Sequence, residues 1–134
     1  MKKHILALAL TTLCLPFFAN AASIGGAIVE VAPFTIKQGV TETQLMKASD
    51  SLNIQFLEKQ RGYIKRELLD EGDRRYLDII HWATKEDAQA ALRASETCQP
   101  CSQFFELMEM ANTANPSDGV KHMRSVASWK NGGK

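Results

Sequence analysis

The sequence predicts an α+β fold, a four-stranded antiparallel sheet with its helices on one face. Three observations predict it. Short β-branched runs alternate with stretches whose apolar residues recur every three or four positions. Two of the strand-like runs are separated only by a polar turn, as in a hairpin. No internal repeat, low-complexity tract or Pro-rich linker divides the 134 residues.

The first strand is expected over Gly26 to Phe34 (GAIVEVAPF), with Pro33 near its end, where a missing ladder donor is tolerated. A turn at Lys37-Gln38-Gly39 leads to Thr41 and Gln44, which have the spacing of a capping box. Leu45, Ala48, Leu52 and Phe56 then mark the buried face of a helix that Gly62 stops. Tyr63 to Leu69 and Arg75 to Ala83 read as antiparallel strands joined by Asp70-Glu71-Gly72-Asp73. Thr84, with Asp87 three residues on, opens a second helix whose small Ala88 and Ala91, with Leu92, let it lie close to a sheet. A third, shorter helix is expected from about Ser102 to Met110, and a last strand over Val120 to Trp129. The resulting order, βαββαβ, is the ferredoxin-like arrangement. Helices cover one face of such a sheet, while Val29, Val31, Ile80, Trp82 and Val126 make both faces apolar. A second copy of the chain is the simplest cover for the open face, giving a homodimer.

The start of the chain has the three regions of a cleavable secretory signal: the basic stub Met1-Lys2-Lys3-His4, the apolar run Ile5 to Phe18, and the small-residue site Ala19-Asn20-Ala21. Residues 1–21 are therefore expected to be a signal peptide and 22–134 a single exported domain, periplasmic or secreted. The apolar run is short and broken by Pro16, and Thr11-Thr12-Leu13 before Cys14 makes no lipoprotein box, so no membrane association is expected after cleavage. Removing residues 1–21 takes away Lys2 and Lys3 but no acid, so 16 basic residues against 15 acidic become 14 against 15, a net charge of −1. A nucleic-acid binder needs a concentrated basic field, and this chain has none.

Several short motifs resemble those of one known family. They are a strand ending in a Pro-Phe turn, a Lys-x-Gly loop, Gly62-Tyr63 entering a hairpin, and Asp78-Ile79-Ile80-His81-Trp82 ahead of Thr84-Lys85-Glu86. Together they are similar to the antibiotic-biosynthesis-monooxygenase-like family of dimeric α/β barrels, over most of Ile28 to Val126. The resemblance implies a cofactor-independent monooxygenase-like enzyme acting on a small aromatic or apolar molecule, or a non-catalytic ligand-binding or stress-response module built on the same cavity. The family's heme-degrading branch implies an asparagine on the first strand, a tryptophan ending the third and a histidine on the next helix. Only Trp82 matches. Val31 stands at the first position and Thr84 to Ser95 holds no histidine, so heme and other cofactors are not expected.

The resemblance places Trp82 in the barrel cavity, with Ile80, Asp78 and Tyr76 on its side of the strand. His81 then faces the helices or the barrel rim, where it packs or transfers protons. Trp82, His81, Asp78 and Glu30 are the catalytic candidates, and Trp82, Tyr76 and Arg124 the ligand-binding ones. Glu30, amid apolar neighbours, must be hydrated, paired or neutralised; Arg66 and Arg124 are the expected partners, and a general base of raised pKa is the functional alternative. Parity sets Glu30 on the face opposite Val31, and so away from the cavity that Trp82 is expected to line.

Cys98 and Cys101 (CQPC) are the only cysteines after residue 21 and form a disulfide in an oxidising compartment. That bond can be a structural staple or, by its likeness to a thioredoxin motif, a thiol–disulfide exchange centre. A metal would need Met108, Met110, His81 and His122 to converge, a donor set that suits copper. Met108 also fits a helix face with Phe104 and Phe105 as core filling, so no metal is expected.

Overall fold

The computed structural model describes residues 26–110 and 119–129. The expected signal peptide, Cys14 and the tail 131–134 lie outside the described residues. The elements are β1 (Ile28–Thr35), α1 (Glu42–Gln55), a 3-10 turn (Leu57–Lys59), β2 (Tyr63–Gly72), β3 (Arg75–Trp82), α2 (Lys85–Ser95), α3 (Gln99–Phe105) and β4 (Lys121–Arg124). The strands form one antiparallel sheet in the order β2-β3-β1-β4, so the ferredoxin-like arrangement expected from the sequence is the one adopted.

Local signals fix most boundaries. Thr41 caps α1 through a complete capping box with Gln44, and the Thr84 hydroxyl accepts the Asp87 amide at the start of α2. Gly62 has φ +74°, and a Cβ there would fall on the Asp87 carboxylate, so the turn into β2 requires glycine twice over. The hairpin turns at Asp73 and Arg74, both at positive φ. Arg74 is held there by its guanidinium, which donates to the Ile36 carbonyl and to Glu109, each at 2.6 Å.

Pro33 sits inside β1 without breaking it. The Ile36 amide donates toward β3, to the Arg74 carbonyl at 2.9 Å, so by alternation the Pro33 nitrogen faces the other edge. β4 pairs with β1 only from Ile28 to Val31. Beyond that point Met108 bridges Ile36, leaving Pro33 between the two edge partners.

Register divides the side chains. Ile28 lies across from Trp82 and Glu30 across from Ile80, so the even-numbered residues of β1 and β3 share the helix-covered face. The core gathers there: Trp82, Phe104, Leu45 and Cys101 are the largest fully buried side chains. Val29, Val31, Leu77, Ile79, His81 and Met123 occupy the uncovered face.

Three expectations change. The third helix starts three residues earlier and stops at Phe105, because Pro100 favours a helical first turn and Cys98 is its N-cap. The last strand shrinks to Lys121–Arg124, and Val126 is 80% exposed rather than part of an apolar sheet face. His81 lies on the uncovered face rather than under the helices, and Trp82, Ile80, Asp78 and Tyr76 share the opposite face, beneath the helices of their own chain.

Candidate functional site

A cavity of about 420 Å³ opens between the covered face of the sheet and the helices. Ile80 and Trp82 form its base, Leu52, Phe56 and Ala91 wall it from the first two helices, and Cys101, Phe104 and Phe105 wall it from the third. Met110 and Val120, both exposed, stand at its mouth near Pro33. The volume suits a small organic molecule, and the predominantly apolar wall suits an apolar or aromatic one.

Three carboxylates line this space: Glu109, half-exposed and paired with Arg74, and the more deeply set Asp78 and Glu30. Asp78 is neutralised: Arg66 holds it with two bonds of 2.7 and 2.8 Å, and the same guanidinium donates to the Ser49 carbonyl and lies 5.0 Å from the centre of the Phe104 ring. Both partners are buried, so this pair is a fixed part of the wall.

Glu30 differs. Its Oε2 accepts the Trp82 indole N–H at 3.1 Å and meets His122 Nε2 at 3.0 Å. Burial pushes its carboxyl above the ordinary range, and the contacts with His122 and Trp82 pull it only part of the way back. The expectation that Glu30 and Trp82 lie apart is thus overturned. Glu30 shares the even-numbered face with Trp82, and neither Arg66 nor Arg124 is its partner: Arg66 is spent on Asp78, and Arg124 is exposed across from Ile28. His122, offered by the sequence reading only as a possible metal ligand, is the partner of Glu30. The two are rung partners on adjacent strands, a relationship that depends on the register of β4.

Tyr76, His81 and Arg124 fall outside the cavity wall. Tyr76 lies on the same sheet face but stacks on Phe34, with ring centres 5.6 Å apart. His81 approaches Glu67 at 3.7 Å on the uncovered face, and burial lowers its pKa. His81 and His122 are on opposite faces, so the copper donor set is not brought together. Cys98 and Cys101 are bonded; Cys101 is fully buried in the cavity wall. Among the described residues, no helix is long and apolar enough to cross a membrane.

No family model and no curated protein matches the chain by sequence. Solved structures do match by shape. SnoaB, a cofactor-independent oxygenase from Streptomyces nogalater, superposes with a TM-score of 0.56 at 16% identity, covering 78% of this chain and 96% of its own. A putative antibiotic biosynthesis monooxygenase from Bordetella bronchiseptica gives 0.55 at 17% identity, covering 78% and 99%. Another from Chloroflexus aurantiacus J-10-fl gives 0.56 at 9% identity, covering 78% and 98%. At such identities the likeness is one of architecture: this chain shares the ferredoxin-like α+β fold of these structures.

Proposed function

We propose that this protein is an exported, monooxygenase-like enzyme that acts without a cofactor on a small aromatic or apolar molecule bound beside Trp82. The observation that carries the reading is the Glu30 carboxyl, desolvated and set in the wall of an apolar cavity. A base of raised pKa in such a place can take a proton from an activated carbon, and the resulting carbanion can react directly with O2. The shape match to SnoaB and its relatives supports the same reading. The uncovered sheet face, with Val29, Val31, Ile79 and the half-exposed Leu69 and Met123, supports a homodimer formed by a second copy of the chain.

The test is oxygen uptake with anthrone, a tricyclic aromatic whose methylene proton is acidic. Uptake above the uncatalysed rate, lost in Glu30→Gln, is the expected result. Binding of the neutral probe N-phenyl-1-naphthylamine in the cavity, with no oxygen uptake for any activated aromatic offered, would instead support the second reading, a non-catalytic ligand-binding module. Thiol–disulfide exchange is the third, weaker reading; Cys101 is fully buried, so the partly exposed Cys98 is the sulfur that exchange would have to use.

A further inference from the structure

Glu30 lines the cavity and His122 does not. The imidazole stands behind the carboxyl on the edge strand β4, its side chain 20% exposed against 15% for Glu30. We propose that Glu30 and His122 form a two-station proton path between the cavity and bulk water, with Glu30 as the catalytic base and His122 as the group that carries its proton out. This rests on the reading that the cavity binds a ligand with an acidic proton, and adds to it a route for that proton.

The geometry supplies each station. Both neighbours of Glu30 meet the same oxygen, but they are chemically unlike. The indole N–H of Trp82 is a donor only and fixes the carboxyl's orientation. Imidazole both accepts and releases protons near neutrality, so His122 is the exchangeable neighbour. Asp78, the other charged group facing Glu30 from β3, is occupied by Arg66. Arg124 lies two residues from His122 on the same face of β4 and is exposed. From the helices the cavity wall contributes Leu52, Phe56, Ala91, Ser95 and Phe104, none of which titrates.

In the step itself, a C–H or O–H bond of the ligand breaks, its electron pair stays on the ligand, and the proton bonds to a Glu30 oxygen. With His122 in the tautomer that carries its proton on Nδ1, the carboxyl O–H, once on Oε2, passes its proton to Nε2, giving an imidazolium, which yields the Nδ1 proton to water. No electron is transferred in either move. Burial of Glu30 favours its protonated form and so helps the first transfer.

The test uses 4-nitrophenol, whose absorbance distinguishes phenol from phenolate, as a probe bound to the full-length protein after a rapid pH jump. In His122→Gln the probe is expected to bind within about threefold of the unmodified affinity but to ionise at least about tenfold more slowly, with added imidazole restoring the rate. Ionisation as fast in His122→Gln as in the unmodified protein overturns the path and leaves the cavity reading standing. Failure of the unmodified protein to bind the probe overturns both. An independent check, needing no variant, follows the Glu30 carboxyl and His122 ring resonances by NMR as pH is varied. The two should respond to each other's titration, and independent titrations overturn the path.

Discussion

The indole N–H of Trp82 reaches Oε2 of Glu30 diagonally, at 3.1 Å, although neither is the other's rung partner: Ile28 lies across from Trp82 and Ile80 across from Glu30. The bond joins the largest buried side chain of the core to a partly buried carboxyl of the cavity wall. Replacing Trp82 with Phe keeps a ring but removes the donor. That donor lowers the carboxyl's pKa, so its loss should move the Glu30 titration further upward, read by carboxyl carbon NMR. Stability should fall by about 1–3 kcal/mol, the cost of leaving a buried polar group short of a partner.

The raised pKa of Glu30 also has a thermodynamic signature. The folded state holds the carboxyl proton more tightly than the unfolded chain does, so Glu30 contributes stability below about pH 4.5 that is lost as pH rises through the folded value. Urea unfolding at stepped pH should show this decline, and Glu30→Gln should flatten it. Asp87 acts oppositely and lower on the scale. The Thr84 hydroxyl, with Arg61, depresses its pKa, so its contribution is present above about pH 3.8 and is lost as pH falls through the depressed value.

Asp78→Asn would leave the Arg66 guanidinium buried without its counter-charge. Breaking one side of such a pair costs about 3–5 kcal/mol, so chemical denaturation should show a loss of that size. A loss below about 1 kcal/mol would mean that the guanidinium finds water or another partner.

Gly62→Ala combines a left-handed backbone with a collision against Asp87. A loss of about 2 kcal/mol or more is expected by thermal unfolding.

Reduction of the Cys98–Cys101 bond should cost about 2 kcal/mol, the small value that chain entropy assigns to so short a loop. Because Cys101 and Phe104 both wall the cavity, reduction should also weaken binding of N-phenyl-1-naphthylamine, read by its fluorescence.

Most of the fold was legible because it is written in local signals. The Thr41–Gln44 and Thr84–Asp87 caps, Gly62 and the polar hairpin turn each act within a few residues of themselves. The start of the third helix was also legible in Pro100, whereas the apolar spacing of Phe104, Phe105 and Met108 points later in the chain. The site was harder, because it depends on register. Which face Glu30 shares follows from the pairing of Ile28 with Trp82, and no single strand carries that information. Placing His122 against Glu30 needs the offset of a strand 92 residues away. Alternation along a strand shows which residues share its face, but not which residue on another strand lies opposite.

The sheet order β2-β3-β1-β4 gives His122 a distinctive place in time as well as space. β4 is both an edge strand and the last described element of the chain, so the β1–β3 pair and the helices over it can form before it docks. Until that strand arrives, Glu30 faces the forming core without its imidazole, and desolvation favours keeping it protonated. The last strand therefore lowers the pKa of a carboxyl whose cavity, Val120 excepted, is built from earlier parts of the chain. Without that strand the Glu30 carboxyl loses a contact that lowers its pKa.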